Sequence, residues 1–484
     1  MQEIPQAYEI VIGLEVHIQL STNTKLFCGD PASFGSEPNT HVSPITLAHP
    51  GTLPVMNKKA IEFAVKMGLA CQCEIEIDNY FARKNYFYPD LPKGYQVSQH
   101  TTPICKGGRV NITVGGEEKN VQLNRIHLEE DAGKSLHDVE DANTCIDLNR
   151  AGVPLLEMVT EPDLRSSEEA FAFLTEIRKL VRYLGVCDGN MEEGSMRCDA
   201  NISVRKKGDP QLGTRVEVKN LNSIRNVKKA IEFEAVRLVN QLERNETILQ
   251  QTRSFDAGNG TTFSTREKEE ANDYRYFPEP DLTPFHLTED FIEEIRNTIP
   301  ALPKERIRKY RVENQLSAYD ASVLTEEKEF SDYYDALILH TDLYKPAANW
   351  MTGPVKTWMN ETGNEIGAFP LSPASMAVLI SLVEDGKLSF SIASGRLFQK
   401  LLDNPVKEPL VLAMEENLLQ ESNVNMLEPL VEDVLASHAE KVKAFQKGKK
   451  GLLGMFVGEV MKRSKGKADP KVVNDLLLEK LNNK

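Results

Sequence analysis

The segment at residues 121–157 constrains the fold most, because it places carboxylates beside apolar stretches that a folded chain must bury. Glu129, Glu130 and Asp131 stand in a row, and the apolar run at residues 154–156 ends on Glu157. Burying a carboxylate costs free energy unless a cation or hydrogen bonds offset the cost. We therefore expect carboxylates to converge here on a hard divalent cation such as Mg²⁺, which prefers oxygen ligands.

The sequence Gly133-Lys134-Ser135 does not predict a phosphate-binding P-loop. That motif requires another glycine five residues earlier, where this chain has Leu128. A P-loop binds phosphate through backbone N–H groups, and the acidic residues 129–131 would repel phosphate from them. The acidic triplet instead favours phosphates that are held through a metal ion.

A period of two residues predicts several strands whose polar side chains share one face. From residue 14 to residue 20 the alternation places Glu15, His17 and Gln19 on one side. Two further strands alternate in the same way, and their polar rows are Arg197, Asp199, Asn201 and Ser203, then Arg215, Glu217 and Lys219. Acids for a metal and bases for phosphate would form a phosphoryl-transfer site, although a solvated sheet face explains either strand alone.

The apolar periodicity also predicts the order of the regions along the chain. Up to about residue 290 strand and helix patterns are mixed, with a hairpin that turns at Gly115-Gly116. Helices are expected from Asn57, and from Ser167 to Gly185, with Asn57 and Ser167 as N-caps. Beyond residue 291 helical patterns dominate, and a last all-helical segment begins near residue 404.

The composition favours a protein of the reducing cytoplasm that does not cross a membrane. A chain of 484 residues is too long for one ordinary core, so two to four domains are expected. No apolar run approaches the roughly 18 residues of a membrane span, and the first residues lack the pattern of a signal peptide. The seven cysteines show no disulfide-framework spacing.

The charge distribution predicts a local contact with a polyanion. The whole chain carries a net charge of −15, which argues against nucleic-acid binding over its entire surface. Residues 441–471, however, contain ten Lys or Arg and two acidic residues, a net charge of +8. The candidate contacts are Lys447, Lys449, Lys450, Lys462, Arg463, Lys465 and Lys467. A lysine-rich solvated face is the alternative explanation.

A loop rich in aromatic residues and proline at residues 83–96 is a candidate substrate surface, and residues 273–282 form another loop of the same composition. Packing against the body of the protein explains the first of them equally well.

Six motifs closely resemble the GatB family, the B subunits of the tRNA-dependent amidotransferase complex GatCAB. The motifs are VIGLEVH at 11–17, RKNYFYPD at 83–90, HLEEDAGK at 127–134, DLNRAGVPLLE at 147–157, MEEGSMRCDAN at 191–201 and DYRYFPEPD at 273–281. The resemblance runs from about residue 8 to the C-terminus.

The resemblance implies an α+β protein with three domains. These are a glutamine-synthetase-like antiparallel-sheet cradle at residues 1–293, an all-helical domain at 294–405 and a small tRNA-binding helical tail at 406–484. It implies a protein that uses ATP to phosphorylate the side-chain carboxylate of Glu-tRNA(Gln) or Asp-tRNA(Asn). Ammonia from the A subunit of the complex then displaces the phosphate, and the C subunit holds the other two together.

The resemblance also implies a metal and phosphate site. It matches Glu15, His17, Glu130, Glu157, Asp199 and Glu217 in this chain. We assign Glu130, Glu157 and His17 to a Mg²⁺ that bridges the phosphates of ATP. The other three carboxylates serve a second cation or the entering ammonia. From strand face and charge alone, we expect Arg197 and Lys219 to neutralise the transferring phosphoryl group.

The chain departs from the family at a four-cysteine zinc site that some relatives carry. The pattern Cys-x-Cys is Cys28-Gly29-Asp30 here, and Cys-Pro-x-Cys is Ser43-Pro44-Ile45-Thr46. One thiol of four is left, so we expect no structural zinc.

Two other functions compete with the amidotransferase interpretation. A carboxylate–ammonia ligase acting on a free small molecule would not need the basic C-terminal residues. A non-catalytic tRNA-binding adaptor would not need the clustered carboxylates.

Overall fold

The computed structural model describes residues 5–140, 142–267, 274–420, 424–464 and 467–482, without the side chains of Asp138, Arg266, Glu267 and Asn425. The chain divides into two compact units, Met1–Leu302 and Pro303–Lys484. Among the described residues, the first unit contains the strands and the second is helical. The α+β class, with a sheet region followed by helical regions, is confirmed, whereas the boundaries at residues 294 and 406 stay a prediction.

The strands of the first unit are β1 (Tyr8–Gln19), β2 (Glu74–Ile75), β3 (Asp78–Asn79), β4 (Ala82–Asn85), β5 (Tyr95–Ser98), β6 (Cys105–Lys106), β7 (Arg109–Val114), β8 (Glu117–Glu130), β9 (Lys134–Glu140), β10 (Asn143–Asp147), β11 (Pro154–Thr160), β12 (Met196–Lys206), β13 (Val216–Leu221), β14 (Gln251–Asp256), β15 (Thr261–Glu267), β16 (Phe277–Pro278) and β17 (Phe285–His286). Its helices are α1 (Lys58–Ala70), α2 (Ser167–Leu184), α3 (Ile224–Glu243) and α4 (Glu289–Arg296).

Within the described residues, ten strands form the main sheet. The order is β15-β14-β13-β12-β1-β11-β8-β6-β2, and β7 pairs with β8. The pairings are antiparallel except for β13 with β14, which is parallel, so the expected antiparallel sheet is mixed at this one place. Smaller sheets join β9 with β10, β3 with β17, and β4 with β5 and β16.

One face of the main sheet is apolar and packs under helices. Leu14, Val16 and Ile18 of β1 are fully buried, as the two-residue period predicts. They belong to the same core cluster as Leu174 and Val181 of α2. Full burial of each such side chain contributes about 1.5–3 kcal/mol. The polar residues of β1 therefore lie on the opposite face of the sheet.

The helix ends follow the predicted caps with one exception. Asn57 caps α1 by accepting a hydrogen bond from the Lys59 N–H, and Gly185, at φ 66°, ends α2. Ser166, not the predicted Ser167, caps α2 by accepting a hydrogen bond from the Glu169 N–H. Both serines suit the position, and the prediction was wrong by one residue because sequence pattern alone does not show which of them has extended backbone.

The helices of the second unit are α5 (Pro303–Val312), α6 (Ala318–Leu324), α7 (Lys328–Leu337), α8 (Tyr344–Trp350), α9 (Lys356–Thr362), α10 (Pro373–Glu384), α11 (Phe390–Ile392), α12 (Phe398–Asp403), α13 (Pro409–Glu415), α14 (Val424–Ser437), α15 (Ala439–Gln446), α16 (Leu453–Arg463) and α17 (Pro470–Asn482). One apolar cluster of this unit runs from Tyr310 to Leu418, and a second runs from Leu427 to Leu481. Every helix in the described part of the chain is too short or too polar to span a bilayer.

Candidate active site

The register of the strands places the polar rows side by side at the centre of the sheet. His17 of β1 lies opposite Glu157 of β11 on one side and Arg197 of β12 on the other. Glu15 of β1 lies opposite Asp199 of β12. Because opposite residues of an antiparallel pair project from the same face, the separate rows become one polar patch.

The first acid cluster consists of His17, Glu129 and Glu157. Each residue offers one ligand atom, and these atoms lie within 4.8 Å of one another. His17 Nε2 is 3.7 Å from Glu157 Oε2, and Ser98 Oγ donates a hydrogen bond of 3.0 Å to Glu129 Oε2. Carboxylate oxygens and an imidazole nitrogen in this arrangement can hold a divalent cation.

His127 of β8 shares the face of the first acid cluster and partly neutralises it. Its Nε2 lies 3.3 Å from both Glu129 Oε2 and Glu157 Oε2. Burial alone would lower the pKa of His127, but Glu157 and Glu129 raise it to about 9. Burial would likewise raise the pKa of Glu157, but the neighbouring imidazoles of His127 and His17 hold it well below its usual range. A proton on His127 therefore competes with a cation for these carboxylates.

The second acid cluster consists of Glu15, Asp199 and Glu217, whose oxygens also lie within 4.8 Å of one another. Lys219 Nζ donates to Asp199 Oδ2 at 2.5 Å and lies 3.5 Å from Glu217 Oε1. Burial would lower the pKa of Lys219, but Asp199 and Glu217 raise it to about 12. Three carboxylates face one ammonium group, so the second cluster also has negative charge that a divalent cation can offset.

Asp131 orients two guanidinium groups at the edge of the patch. Arg197 Nη2 and Gln19 Nε2 donate hydrogen bonds of 2.6 and 2.7 Å to Asp131 Oδ2, and Arg150 Nε lies 3.7 Å from the same oxygen. Burial would raise the pKa of Asp131, but Arg197 and Arg150 lower it. Within the described residues the buried Arg197 Nε has no hydrogen-bond partner.

These groups line one cavity of about 380 Å³. Both acid clusters, Arg150, Arg197 and Lys219 contribute to its walls, together with Lys84, Tyr86 and Tyr274. The aromatic residues come from the two loops that are rich in aromatic residues and proline. Asn85 Nδ2 joins the loops by donating to the Arg275 carbonyl at 2.8 Å, while Asp273 lies outside the described residues.

The structure does not bring Glu130 to His17 and Glu157. Glu130 pairs with Lys93, accepts a hydrogen bond of 2.8 Å from the Val97 N–H, and lines a different cavity of about 340 Å³. Successive residues of a strand point to opposite faces, so Glu129 and Glu130 cannot both face the polar patch. The structure therefore places Glu129, not Glu130, beside His17 and Glu157. The metal role of Glu130 stays a prediction.

Most of the predicted basic contacts of the tail are accessible. Among the described residues, the exposed side chains are those of Lys447, Lys449, Lys450 and Lys462, and Lys467 is half-buried. Arg463 differs, because it pairs with Asp433 and lies 3.6 Å from Glu459. Lys465 lies outside the described residues. The nucleic-acid contact stays a prediction.

Hydrogen bonds connect the segments of Cys28-Gly29-Asp30 and Ser43-Pro44-Ile45-Thr46, where the sequence predicts no zinc. Asp30 Oδ2 accepts hydrogen bonds from the Ser43 N–H at 2.8 Å and from Thr46 Oγ1 at 2.5 Å. Cys28 Sγ lies 3.4 Å from the same Thr46 hydroxyl. The Asp30 carboxylate thus cross-links the two segments through the Ser43 backbone and the Thr46 side chain. The absence of zinc stays a prediction.

Sequence reasoning missed four residues of the cavity region: Lys84, His127, Glu129 as a ligand, and Asp131 as the partner of the arginines. His127 and Glu129 are two residues apart on β8, and this spacing could have grouped them on one face. For Lys84 and Asp131 the sequence carries no such signal, since their positions depend on how β4 and the loop after β8 pack.

Comparisons with known proteins agree with the fold class. The family model described as the GatB/GatE catalytic domain matches residues 10–293, and the GatB domain model matches residues 332–481. The B subunit of the aspartyl/glutamyl-tRNA(Asn/Gln) amidotransferase from Geotalea daltonii is 49% identical over 98% of this chain and 99% of that protein. The proteins of the same name from Geobacter sulfurreducens and Chlorobium chlorochromatii are each 48% identical, with the same coverage.

Proposed function

The chain belongs to the GatB family, and from this premise we propose that it is the component of a tRNA-dependent amidotransferase that activates the aminoacyl carboxylate. The substrate is the side-chain carboxylate of Glu-tRNA(Gln), of Asp-tRNA(Asn), or of both. The observation that carries the proposal is the cavity of about 380 Å³, in which two acid clusters face Arg197 and Lys219. Such a site suits phosphoryl transfer, where the protein's task is positioning and charge stabilisation.

The reaction has two steps. A carboxylate oxygen of the charged amino acid attacks the γ-phosphorus of ATP, the bond to the β–γ bridging oxygen breaks, and ADP leaves. Ammonia then attacks the carbonyl carbon of the acyl phosphate, phosphate leaves, and the ammonia nitrogen loses a proton to give the amide. The described residues of the cavity include no cysteine or serine nucleophile, so we propose that ammonia comes from the A subunit. The C subunit completes the heterotrimer.

The donor sets of both acid clusters fit Mg²⁺. His17, Glu129 and Glu157 form one set and Glu15, Asp199 and Glu217 the other, and each set is compact and rich in oxygen. The cation, when bound, neutralises charge that develops on the phosphates. In the protein itself, Asp131 holds Arg197, and Asp199 holds Lys219, at the rim of the same cavity. These two cations are placed to contact the oxygens of the transferring phosphoryl group.

The basic tail is proposed to bind the tRNA, and the complex to work in the cytoplasm. The exposed lysines 447, 449, 450 and 462 provide positive charge in a chain whose net charge is −15. Lys467 extends this surface.

The test is transfer of label from γ-³²P-ATP in the complex with the A and C subunits. We compare wild type, Glu157→Gln, and Glu293→Gln as a matched control, since Glu293 is an exposed partner of Arg296 on α4. Label transfer should require charged tRNA and Mg²⁺, persist in the control, and disappear in Glu157→Gln. Transfer to free glutamate without tRNA would instead indicate a small-molecule ligase. Unchanged transfer in Glu157→Gln would indicate that this chain is an adaptor.

A further inference from the structure

Lys84 lies at the boundary between two adjoining cavities. It belongs to β4, and its side chain lines the cavity of about 380 Å³ and a second one of about 170 Å³. Glu129 and Glu157 line both cavities as well. The Lys84 ammonium group is therefore close to the first acid cluster, on the side that the aromatic loops cover.

The other cations that line the larger cavity already have carboxylate partners. Arg197 donates to Asp131 at 2.6 Å, Arg150 approaches the same oxygen to 3.7 Å, and Lys219 donates to an Asp199 oxygen at 2.5 Å. Lys84 differs from them, because it forms no ion pair with any carboxylate in the described ranges. A cation that faces a cavity without a direct counter-ion is suited to an anionic ligand.

Aromatic rings hold the Lys84 ammonium group without neutralising it. Its Nζ lies 4.9 Å from the centroid of the Tyr274 ring and 5.9 Å from that of Tyr86. Ring faces attract a cation through their quadrupole and leave its N–H groups free to donate. Burial would lower the pKa of Lys84, but the negative charges of Glu129 and Glu157 raise it above its ordinary value. The Lys84 ammonium group is thus charged and held in place, and its N–H groups can donate hydrogen bonds to a ligand.

We propose that Lys84 binds the γ-phosphoryl group of ATP from the aromatic side of the cavity and stabilises it during transfer. This inference rests on the proposed function, and it adds a catalytic residue that lies outside the predicted set. Negative charge in phosphoryl transfer is spread over three equatorial oxygens, so donors are needed on more than one side. Lys84 donates hydrogen bonds there and exchanges no proton. ADP lacks the γ-phosphoryl group, so Lys84 discriminates between ATP and ADP.

The experiment measures nucleotide affinity and label transfer in the complete complex for Lys84→Met. Calorimetric titration with ATP and with ADP, both with Mg²⁺, gives the ratio of the two affinities without any turnover. We expect this ratio to fall about tenfold or more, since a hydrogen bond to a charged group is lost only with ATP. The kcat of label transfer to charged tRNA should fall about 100-fold or more.

A structural role for Lys84 predicts a different pattern. If Lys84 only fastened the aromatic loops, Lys84→Met would weaken ATP and ADP equally and would raise the Mg²⁺ concentration needed for half-maximal activity. Our proposal predicts that this Mg²⁺ concentration does not rise, because removing a positive charge near Glu129 and Glu157 favours a cation. An unchanged ratio of ATP to ADP affinity overturns the proposal.

Lys58→Met is the matched control. Lys58 also lies over an aromatic ring, that of Phe291 at 5.3 Å, and is exposed on α1. Its substitution should leave the affinity ratio and kcat unchanged. Should Lys84→Met not fold, Lys84→Arg carries the same comparison and should keep the preference for ATP, since the charge is retained. If wild type transfers no label but Lys84→Met still lowers the ratio of ATP to ADP affinity, the proposed function is wrong, whereas the contact of Lys84 with the γ-phosphoryl group is supported.

Discussion

Exchanging one carboxylate for an amide at Glu129 or at Glu130 should give opposite results, although the two residues are adjacent. The Glu129 carboxylate belongs to the first acid cluster and faces the cavity of about 380 Å³. The Glu130 carboxylate pairs with Lys93 on the other face of the sheet. Glu129→Gln should therefore remove a metal ligand, whereas Glu130→Gln should remove half of a buried ion pair.

The size of each effect follows from these surroundings. Side chains that merely orient metal ligands already contribute 10–100-fold to affinity or activity, so loss of Glu129 should cost about 100-fold or more. The Glu130 and Lys93 side chains are 4% and 14% exposed, and breaking such a pair costs 3–5 kcal/mol. Because the glutamine keeps an acceptor for the Val97 N–H, we expect the lower end of this range, a loss of about 3 kcal/mol of stability. For a unit of 302 residues, with an unfolding entropy of about 0.6 kcal/mol/K, this lowers Tm by about 5 °C.

The assay is tRNA-dependent label transfer from γ-³²P-ATP as a function of Mg²⁺ concentration, with Tm measured on the same preparations. Glu129→Gln should raise the half-saturating Mg²⁺ concentration or abolish transfer, whatever change in Tm follows from the lost contact with His127. Glu130→Gln should lower Tm and leave the half-saturating Mg²⁺ concentration near that of wild type. The reverse pattern, with Mg²⁺ dependence altered in Glu130→Gln and normal in Glu129→Gln, refutes the orientation of β8 on which this reasoning rests.

Three further predictions concern pH, the cross-link at Asp30 and the tail. The folded-state pKa of His127 is about 9, above its ordinary 6.5, so its stabilising effect is complete below pH 6.5 and disappears as pH rises through 9. Without metal, the Tm of wild type should therefore fall more between pH 7 and pH 9 than the Tm of His127→Gln. Mg²⁺ should bind wild type more tightly at pH 9 than at pH 7. An equal dependence of Tm on pH in the two proteins, measured by calorimetry, would contradict this. Asp30→Ala should lose about 1–2 kcal/mol of stability, measured by urea unfolding. A zinc chelator should leave the stability of wild type unchanged, and a loss of stability on chelation would indicate a bound metal. Lys449→Ala and Lys450→Ala should each reduce the slope of log K for tRNA binding against log salt concentration by about one unit. Arg463→Ala should change this slope less, because Asp433 already pairs with the guanidinium group. Filter binding across salt concentrations measures the slopes, and equal changes in all three variants would contradict this.

The polar face of β1 could be predicted from the sequence because its alternation is regular. Leu14, Val16 and Ile18 are buried, and this alone fixes Glu15 and His17 on the other face. The same period identified β12 and β13, so most of the second acid cluster was recognised before the fold was known. What the period cannot show is which strands are neighbours, and the register of β1 with β11 and β12 supplies that information.

The orientation of Glu130 has a specific physical cause. In β8 the buried apolar residues are Val121 and Leu123 at odd positions, then Ile126 and Leu128 at even positions. The pairing with β11 shifts register between Leu123 and Arg125, so a bulge reverses which residues face the core. After the bulge the odd residues, including Glu129, face the polar patch. The apolar pattern carries this signal, but a motif matched as a block of letters does not reveal it.

The central claim is that the polar face of this sheet holds the cations of a phosphoryl-transfer site. It is tested most directly by anomalous diffraction from crystals of the complex grown with Mn²⁺ and ATP, because Mn²⁺ takes the same oxygen ligands as Mg²⁺. We predict anomalous peaks between His17, Glu129 and Glu157, and between Glu15, Asp199 and Glu217. A peak beside Glu130 with none in the polar cavity, or no peak at saturating Mn²⁺, would contradict the account.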